Sequence, residues 1–240
     1  MSTHSQQING NLVFYSSRRD KWIDAIGPTV RKHFEDFIGP TSVGADNADP
    51  LGWTITVLTG EAGTGTITAG NEAGGSVVIT PDATENDGVN ITWNNEAFLL
   101  AAGDPCYFGI RVKLEDADQC DLFTGLVITD TEMWGGVSDG IYFNSADEVA
   151  TCTGLCELNT AASTAVGSGT FVNNVYSVLE FYYDGAGTVK FYFDDTLIDT
   201  VTAAANIPID EELTFAFELL TGEGAANTAS IDWIRVIQCQ

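Results

Sequence analysis

Positive charge is scarce in this chain. Its 240 residues hold 9 Lys and Arg against 34 Asp and Glu, a formal net charge of −25, and that balance excludes the sequence-independent grip on phosphates by which nucleic-acid binders work. Long apolar runs are missing too. None reaches the roughly 20 residues that carry a helix across a bilayer. MSTHSQQINGNLVFY lacks the charged start, apolar stretch and small-residue cleavage site of a secretory signal, so neither membrane insertion nor general export is expected. Histidine occurs only at His4 and His33; a Ser-His-Asp set would have to recruit one of these, and no G-x-S-x-G string is present. GEAGTGT lacks the lysine and following helix of a phosphate-binding loop. The five cysteines, Cys106, Cys120, Cys152, Cys156 and Cys239, cannot all pair within one chain and are too sparse for a disulfide scaffold. They are expected as small buried hydrophobes. The pair in CTGLC has no second cysteine pair and no nearby histidine to complete a zinc set.

What is present points to strands. The hydrophobic fraction of 44% suffices for a sizeable core, only 18% of residues are charged, and Thr, Ser, Asn and Gly supply the polar surface, a composition suited to strands and turns. From Trp53 onward about a dozen short runs rich in β-branched and aromatic residues alternate with turn signals, the pattern of an antiparallel sandwich or barrel. In LTFAFEL, Leu213, Phe215, Phe217 and Leu219 share one face while Thr214, Ala216 and Glu218 share the other. In GTVKFYFDDTLIDTV, Val189, Phe191 and Phe193 alternate with Lys190, Tyr192 and Asp194, and the chain turns over Asp194 and Asp195.

The chain divides into an N-terminal arm, residues 1–40, and a body, residues 41–240. In DKWIDAIGPTVRKHFEDFIG the apolar positions Trp22, Ile23, Ile26, Val30, Phe34 and Phe37 fall near three- and four-residue spacing, which predicts two short helical turns broken at Gly27–Pro28. Residues 39–52 read as a loop. The arm is electrically opposite to the body: residues 1–33 carry five bases against two acids, residues 34–240 four bases against 32 acids. Such an arm either lies on the protein's own acidic surface or docks on an acidic partner.

The last strand, ASIDWIRVIQ (residues 229–238), resembles the closing strand of concanavalin A-like jelly rolls. EFYYDGAGTVKFYFDDTLIDTV resembles the paired strands of laminin-G-like and glucanase-like members of that superfamily, with Asp195 where a glycine is usual. The resemblance implies an all-β antiparallel sandwich and, among functions, sugar binding or sugar cleavage. Retaining glucanases of this type carry E-x-D-x-x-E, which sets two carboxylates ~5 Å apart. No such string occurs, and the acids of EDADQCD and TDTEMW have the wrong spacing. Glu132, beside Trp134, is the candidate for an unorthodox catalytic site.

Sugar binding asks for an aromatic platform and convergent polar groups, often organised by calcium. Trp134, followed by Gly135 and Gly136, is the candidate platform on an exposed loop, whereas Trp53 and Trp93 sit inside strand patterns. Oxygen ligands for calcium are offered by Asp46, Asn47 and Asp49, by Glu115, Asp116, Asp118 and Asp121, and by Asp82, Glu85, Asn86 and Asp87, although none has EF-hand order.

In general character the chain also looks like a virion protein of a tailed bacteriophage, a capsid decoration or cement protein made in the host cytoplasm and held to the capsid surface. That analogy implies the major capsid protein as partner and a homo-oligomer, a trimer by preference. Arg18, Arg19, Lys21, Arg31 and Lys32 would then supply charged contacts, and Trp22, Ile26 and Phe34 apolar anchors. The expectation carried forward is a non-enzymatic jelly roll of this kind, with polysaccharide binding as the alternative and a divergent glycoside hydrolase third.

Overall fold

The structure, a computed structural model, describes residues 3–38, 52–58, 65–146 and 148–240. The chain begins with β1 (His4–Ile8), β2 (Asn11–Tyr15), β3 (Trp22–Ile26) and β4 (Val30–Glu35). β5 (Trp53–Leu58), β6 (Thr66–Ala69), β7 (Val77–Thr80), β8 (Gly88–Trp93), β9 (Phe98–Leu99) and β10 (Cys106–Leu114) follow. Next come β11 (Cys120–Val127), β12 (Gly140–Ser145), β13 (Thr151–Leu158), β14 (Ala161–Ala162) and β15 (Ser168–Thr170). β16 (Ser177–Tyr183), β17 (Val189–Phe193), β18 (Thr196–Val201), β19 (Glu212–Thr221) and β20 (Ala229–Cys239) complete the chain. The described residues form no α-helix, and among them no helix is long and apolar enough to cross a membrane.

Three antiparallel sheets result. An eight-stranded sheet runs β18-β17-β16-β10-β20-β7-β6, with β4 also paired to β20; a nine-stranded sheet runs β14-β13-β12-β11-β19-β8-β5, with β15 on β13 and β9 on β19. The two large sheets face each other across one apolar core, the sandwich expected from the strand pattern. Its centre is aromatic. Phe108 of β10 stacks on Phe181 of β16 at 4.9 Å and meets Phe215 of β19 from the opposite sheet at 6.3 Å. Leu213, Phe215, Phe217 and Leu219 are all fully buried, so the two-residue period of β19 delivers its apolar face to the core. Trp53 and Trp93 are core residues, packed edge-on to each other and both against Phe215.

The hairpin of β17 and β18 turns at Asp194 and Asp195, with φ of 46° and 66°. Two successive left-handed residues make the turn whose twist matches the flanking strands. Asp tolerates that region because its short polar side chain bonds locally: the Asp194 carboxylate accepts the Val178 N–H at 2.7 Å.

The N-terminal arm corrects the expectation of helical turns. β1, β2 and β3 form a three-stranded sheet of their own, and β4 extends the eight-stranded sheet along β20. The four-residue spacing of Trp22, Ile26, Val30 and Phe34 arises from two strands joined through Gly27–Pro28–Thr29, and pairing to β20 overrides local helix preference. Asn9 and Gly10, with φ of 50° and 80°, make the tight turn between β1 and β2. This small sheet lies on the outer face of the eight-stranded sheet, where Val13, Trp22 and Ala25 pack against Tyr107, Ile237 and Cys239. Electrostatics fix it there. Arg18 reaches the fully buried Glu180 carboxylate at 2.5 Å, Tyr107 donates its hydroxyl to the same group at 2.6 Å, and Lys21 pairs with Asp195 at 2.8 Å.

Candidate functional site

The outer face of the nine-stranded sheet carries the most site-like arrangement. Register places Asn90, Glu218, Phe123, Asn144 and Thr153 side by side across β8, β19, β11, β12 and β13. The next outward row is Thr92, Ala216, Gly125, Tyr142 and Leu155. Gly125 sets the spacing of this surface, since a Cβ there would come within 2.2 Å of the Ile141 carbonyl oxygen and 2.6 Å of the Tyr142 Cα. With that approach possible, the Phe123 and Tyr142 rings stack at 4.4 Å.

Residues 128–139 fold back over this face and are held by its two central polar residues. Asn90 donates its amide to the carbonyls of Asp130 and Thr131, at 3.3 and 3.0 Å. The Glu218 carboxylate accepts the backbone N–H of Met133 at 2.7 Å and of Trp134 at 2.9 Å, one on each oxygen. Met133 is then buried among Phe123, Val127, Val137, Tyr142 and Ala216, with Trp134 and Leu155 partly buried beside them. Burial pushes the Glu218 carboxyl up to about 7; the Glu132 and Asp130 charges act in the same direction, and the two amide bonds oppose the rise.

Trp134 overhangs a cleft of about 330 Å³ whose other walls include Phe123, Tyr142, Asn144 and Glu157. The Tyr142 hydroxyl donates to Glu157 at 2.7 Å, and burial with that carboxylate raises its pKa, so it remains a proton donor. Asn144 accepts from the Thr153 hydroxyl at 2.7 Å through its carbonyl oxygen and keeps its amide N–H groups for the cleft. Rings on two sides and a few fixed polar groups suit a ligand with apolar faces and hydroxyl edges.

The same register bears on cleavage. Glu218 and Glu157 lie on β19 and β13 with two strands between them, and the register sets Glu157 in the row of Thr214, four residues along the strand from Glu218, so their backbone positions are roughly 19 Å apart at the usual strand spacing and rise. Paired glycosidase carboxyls stand about 5 to 9.5 Å apart. Glu218 is fully buried and both its oxygens hold backbone. Glu132 is exposed on the loop.

A larger cleft of about 840 Å³ opens at the sandwich edge between Arg31 and His33 of β4 and the 94–97 turn after β8. His33 packs on Trp93 at 3.9 Å, and burial lowers its pKa. The walls there include the exposed Arg31 and loop amides and carboxylates, with Trp93 buried; the Trp134 cleft, although smaller, has a half-buried indole on its wall.

The remaining expected site residues are placed as follows. Trp22 is fully buried, Arg18 and Lys21 are paired within the chain, and Lys32 pairs with Asp24 at 2.6 Å. Arg19, Ile26, Arg31 and Phe34 are exposed. Asp46, Asn47 and Asp49 lie outside the described residues. Glu115 accepts from the Thr228 hydroxyl and Asp116 from the Asn173 amide, and among the described residues no three His, Cys, Asp or Glu side chains converge for a metal ion. All five cysteines are buried free thiols, with burial pushing Cys239 up to about 11 and Cys120 up to about 12. Tyr142, Asn144 and Glu157 were not singled out by sequence reasoning, because each sits in an ordinary strand and only register gathers them.

No protein-family model and no curated protein matches the sequence. Solved structures do match in fold. An endo-1,3-beta-glucanase from Streptomyces sioyaensis superimposes with a TM-score of 0.65 at 12% identity, covering 91% of this chain and 99% of that one. A protein of unknown function from Shewanella oneidensis MR-1 gives 0.61 at 16%, covering 89% and 88%. The potassium-bound Emp46p carbohydrate recognition domain gives 0.55 at 13%, covering 81% and 92%. These neighbours are concanavalin A-like jelly rolls, and the sandwich described above has that fold.

Proposed function

We propose that this chain is a carbohydrate-binding, lectin-like domain whose site is the cleft beneath Trp134. The observation that carries the reading is the convergence, on one sheet face, of the Trp134, Phe123 and Tyr142 rings with Asn144 and Glu157 around about 330 Å³. A sugar would place its C–H face on the indole and its hydroxyls on the amide and carboxylate. Two fold neighbours, an endo-1,3-beta-glucanase and a carbohydrate recognition domain, are named for action on or recognition of carbohydrate, which supports carbohydrate as the class of ligand.

Binding is favoured over turnover by the carboxylates. Glu218 spends both oxygens on the Met133 and Trp134 amides, and its separation from Glu157 exceeds that of a working pair. A capsid-decoration role has no support from the fold neighbours, and three of the five arm charges that were to dock it, Arg18, Lys21 and Lys32, are used against Glu180, Asp195 and Asp24.

The test is a binding panel of soluble neutral β-glucans read by calorimetry, with reducing ends assayed in the same samples. Trp134→Ala is expected to weaken binding about tenfold or more in a protein that thermal unfolding shows to be still folded. Unchanged affinity in that variant, or release of reducing ends by the wild type, would overturn the reading.

A further inference from the structure

The chain's cations are not scattered. No Lys or Arg occurs between Lys113 and Lys190, and no strand of the nine-stranded sheet contains one. Lys32, Arg111, Lys113, Lys190 and Arg235 instead project from the outer face of the eight-stranded sheet, as their pairing with outward residues of neighbouring strands requires. Arg18 and Lys21 reach the same face from the turn between β2 and β3. On a molecule of net charge −25, this is the one described face that a polyanion can approach without meeting a wholly acidic surface.

Part of it is left uncovered by the N-terminal sheet and carries aromatic rings beside its cations. Arg235 of β20 lies between two rings, 5.2 Å from Phe34 of β4 and 5.0 Å from Trp233. Phe34 is 44% exposed. Gly109 lies below Trp233: a Cβ there would meet the indole at 3.1 Å and the Tyr107 hydroxyl at 2.6 Å, so glycine lets the ring lie across β10. Beyond it, Arg111 sits 4.1 Å over the Tyr176 ring. Arg111 and Lys113 already have carboxylate partners, Asp232 and Glu72. Arg235 has no such partner within ion-pair distance among the described residues, so its guanidinium N–H groups remain as donors for a ligand.

We propose that Phe34, Arg235, Trp233 and Arg111 form a second binding surface, for a carboxylate-bearing polysaccharide. The rings take the C–H faces of the sugars, and the Arg235 fork takes a uronate carboxylate in bidentate fashion. Strand pairing sets these groups beside one another across β4, β20 and β10. This surface is on the opposite side of the sandwich from Trp134 and is independent of that cleft.

The experiment uses the full chain with polygalacturonate as probe, measured by calorimetry at low and high salt, and polyglutamate as a non-sugar polyanion. Binding to polygalacturonate is expected, weakening with added salt. Arg235→Gln and, separately, Trp233→Ala are expected to lower affinity about tenfold or more, while Arg235→Lys recovers only part of it and Trp134→Ala changes nothing. Thermal unfolding checks that each variant is folded. Absence of polygalacturonate binding by the wild type, full affinity in Arg235→Gln, or equal binding of polyglutamate would each overturn the proposal. Loss through Trp134→Ala instead would place the polymer in the other cleft.

Discussion

Replacing Glu218 with glutamine tests the physical basis of the Trp134 site directly. The carboxyl is raised from 4.5 to about 7, so the folded state holds a proton that the unfolded chain has already released over that interval. Where the folded state binds more protons, stability falls as pH rises. The contribution is fully present below about pH 4.5, where both states are protonated, and is lost as pH climbs through 7. Its size, converted at 1.36 kcal/mol per pKa unit, is about 3 kcal/mol. Because Glu218 is fully buried, solvent screening does not reduce that figure as it would at the surface. Glutamine does not titrate, and every other ionisable group is common to both proteins. Urea unfolding of wild type and Glu218→Gln between pH 4.5 and 8 should therefore show the variant gaining about 3 kcal/mol relative to wild type. A difference flat to within about 0.5 kcal/mol would refute the claim that desolvation dominates. A difference of opposite slope would mean that the Met133 and Trp134 amide bonds outweigh burial.

Two further outcomes follow from buried groups. Arg18→Met strands the fully buried Glu180 carboxylate with Tyr107 and with Lys21 at 3.6 Å, so it should lower unfolding free energy by about 3 kcal/mol, and a neutral result in denaturant titration would show that the Arg18 contact contributes nothing net. All five thiols should resist iodoacetamide at pH 8 in the native protein and react once urea unfolds it, since burial raises every one of them; rapid native labelling of any cysteine would contradict its placement in the core.

Strand physics made the body legible and left the arm misread. In β17 the two-residue period is uninterrupted, and in β19 it holds from Leu213 to Leu219; both strands bury the residues that the period selects, although β19 buries its other face as well. The arm offers a four-residue apolar spacing that fits a helix as well as two strands meeting at Gly27–Pro28. What decides between them is the open edge of β20, to which β4 adds, and that edge is 200 residues away in sequence. A local signal was present nonetheless. Asn9–Gly10 between Ile8 and Asn11 is the dipeptide that a two-residue hairpin demands, and it marks β1 and β2 as strands before any tertiary contact is known.

The candidate site was legible at one residue for a related reason. Trp134 stands out because a large ring followed by Gly135 and Gly136 reads as an exposed loop whatever surrounds it. Tyr142, Asn144 and Glu157 do not stand out, since alternation says which residues of a strand share a face and says nothing of which strand lies beside it or what lies above. Glu218 shows the cost most clearly. From β19 alone it belongs to the polar side of LTFAFEL, where water would be the natural partner. In the fold that side is roofed by residues 128–139, and the carboxylate becomes the anchor of the roof, accepting two of its backbone amides. A polar residue on a strand therefore carries two opposite meanings, solvation or the grip on a covering loop. The loop that chooses between them here follows β11, so the choice is written in the pairing of β11 with β19 rather than in either strand.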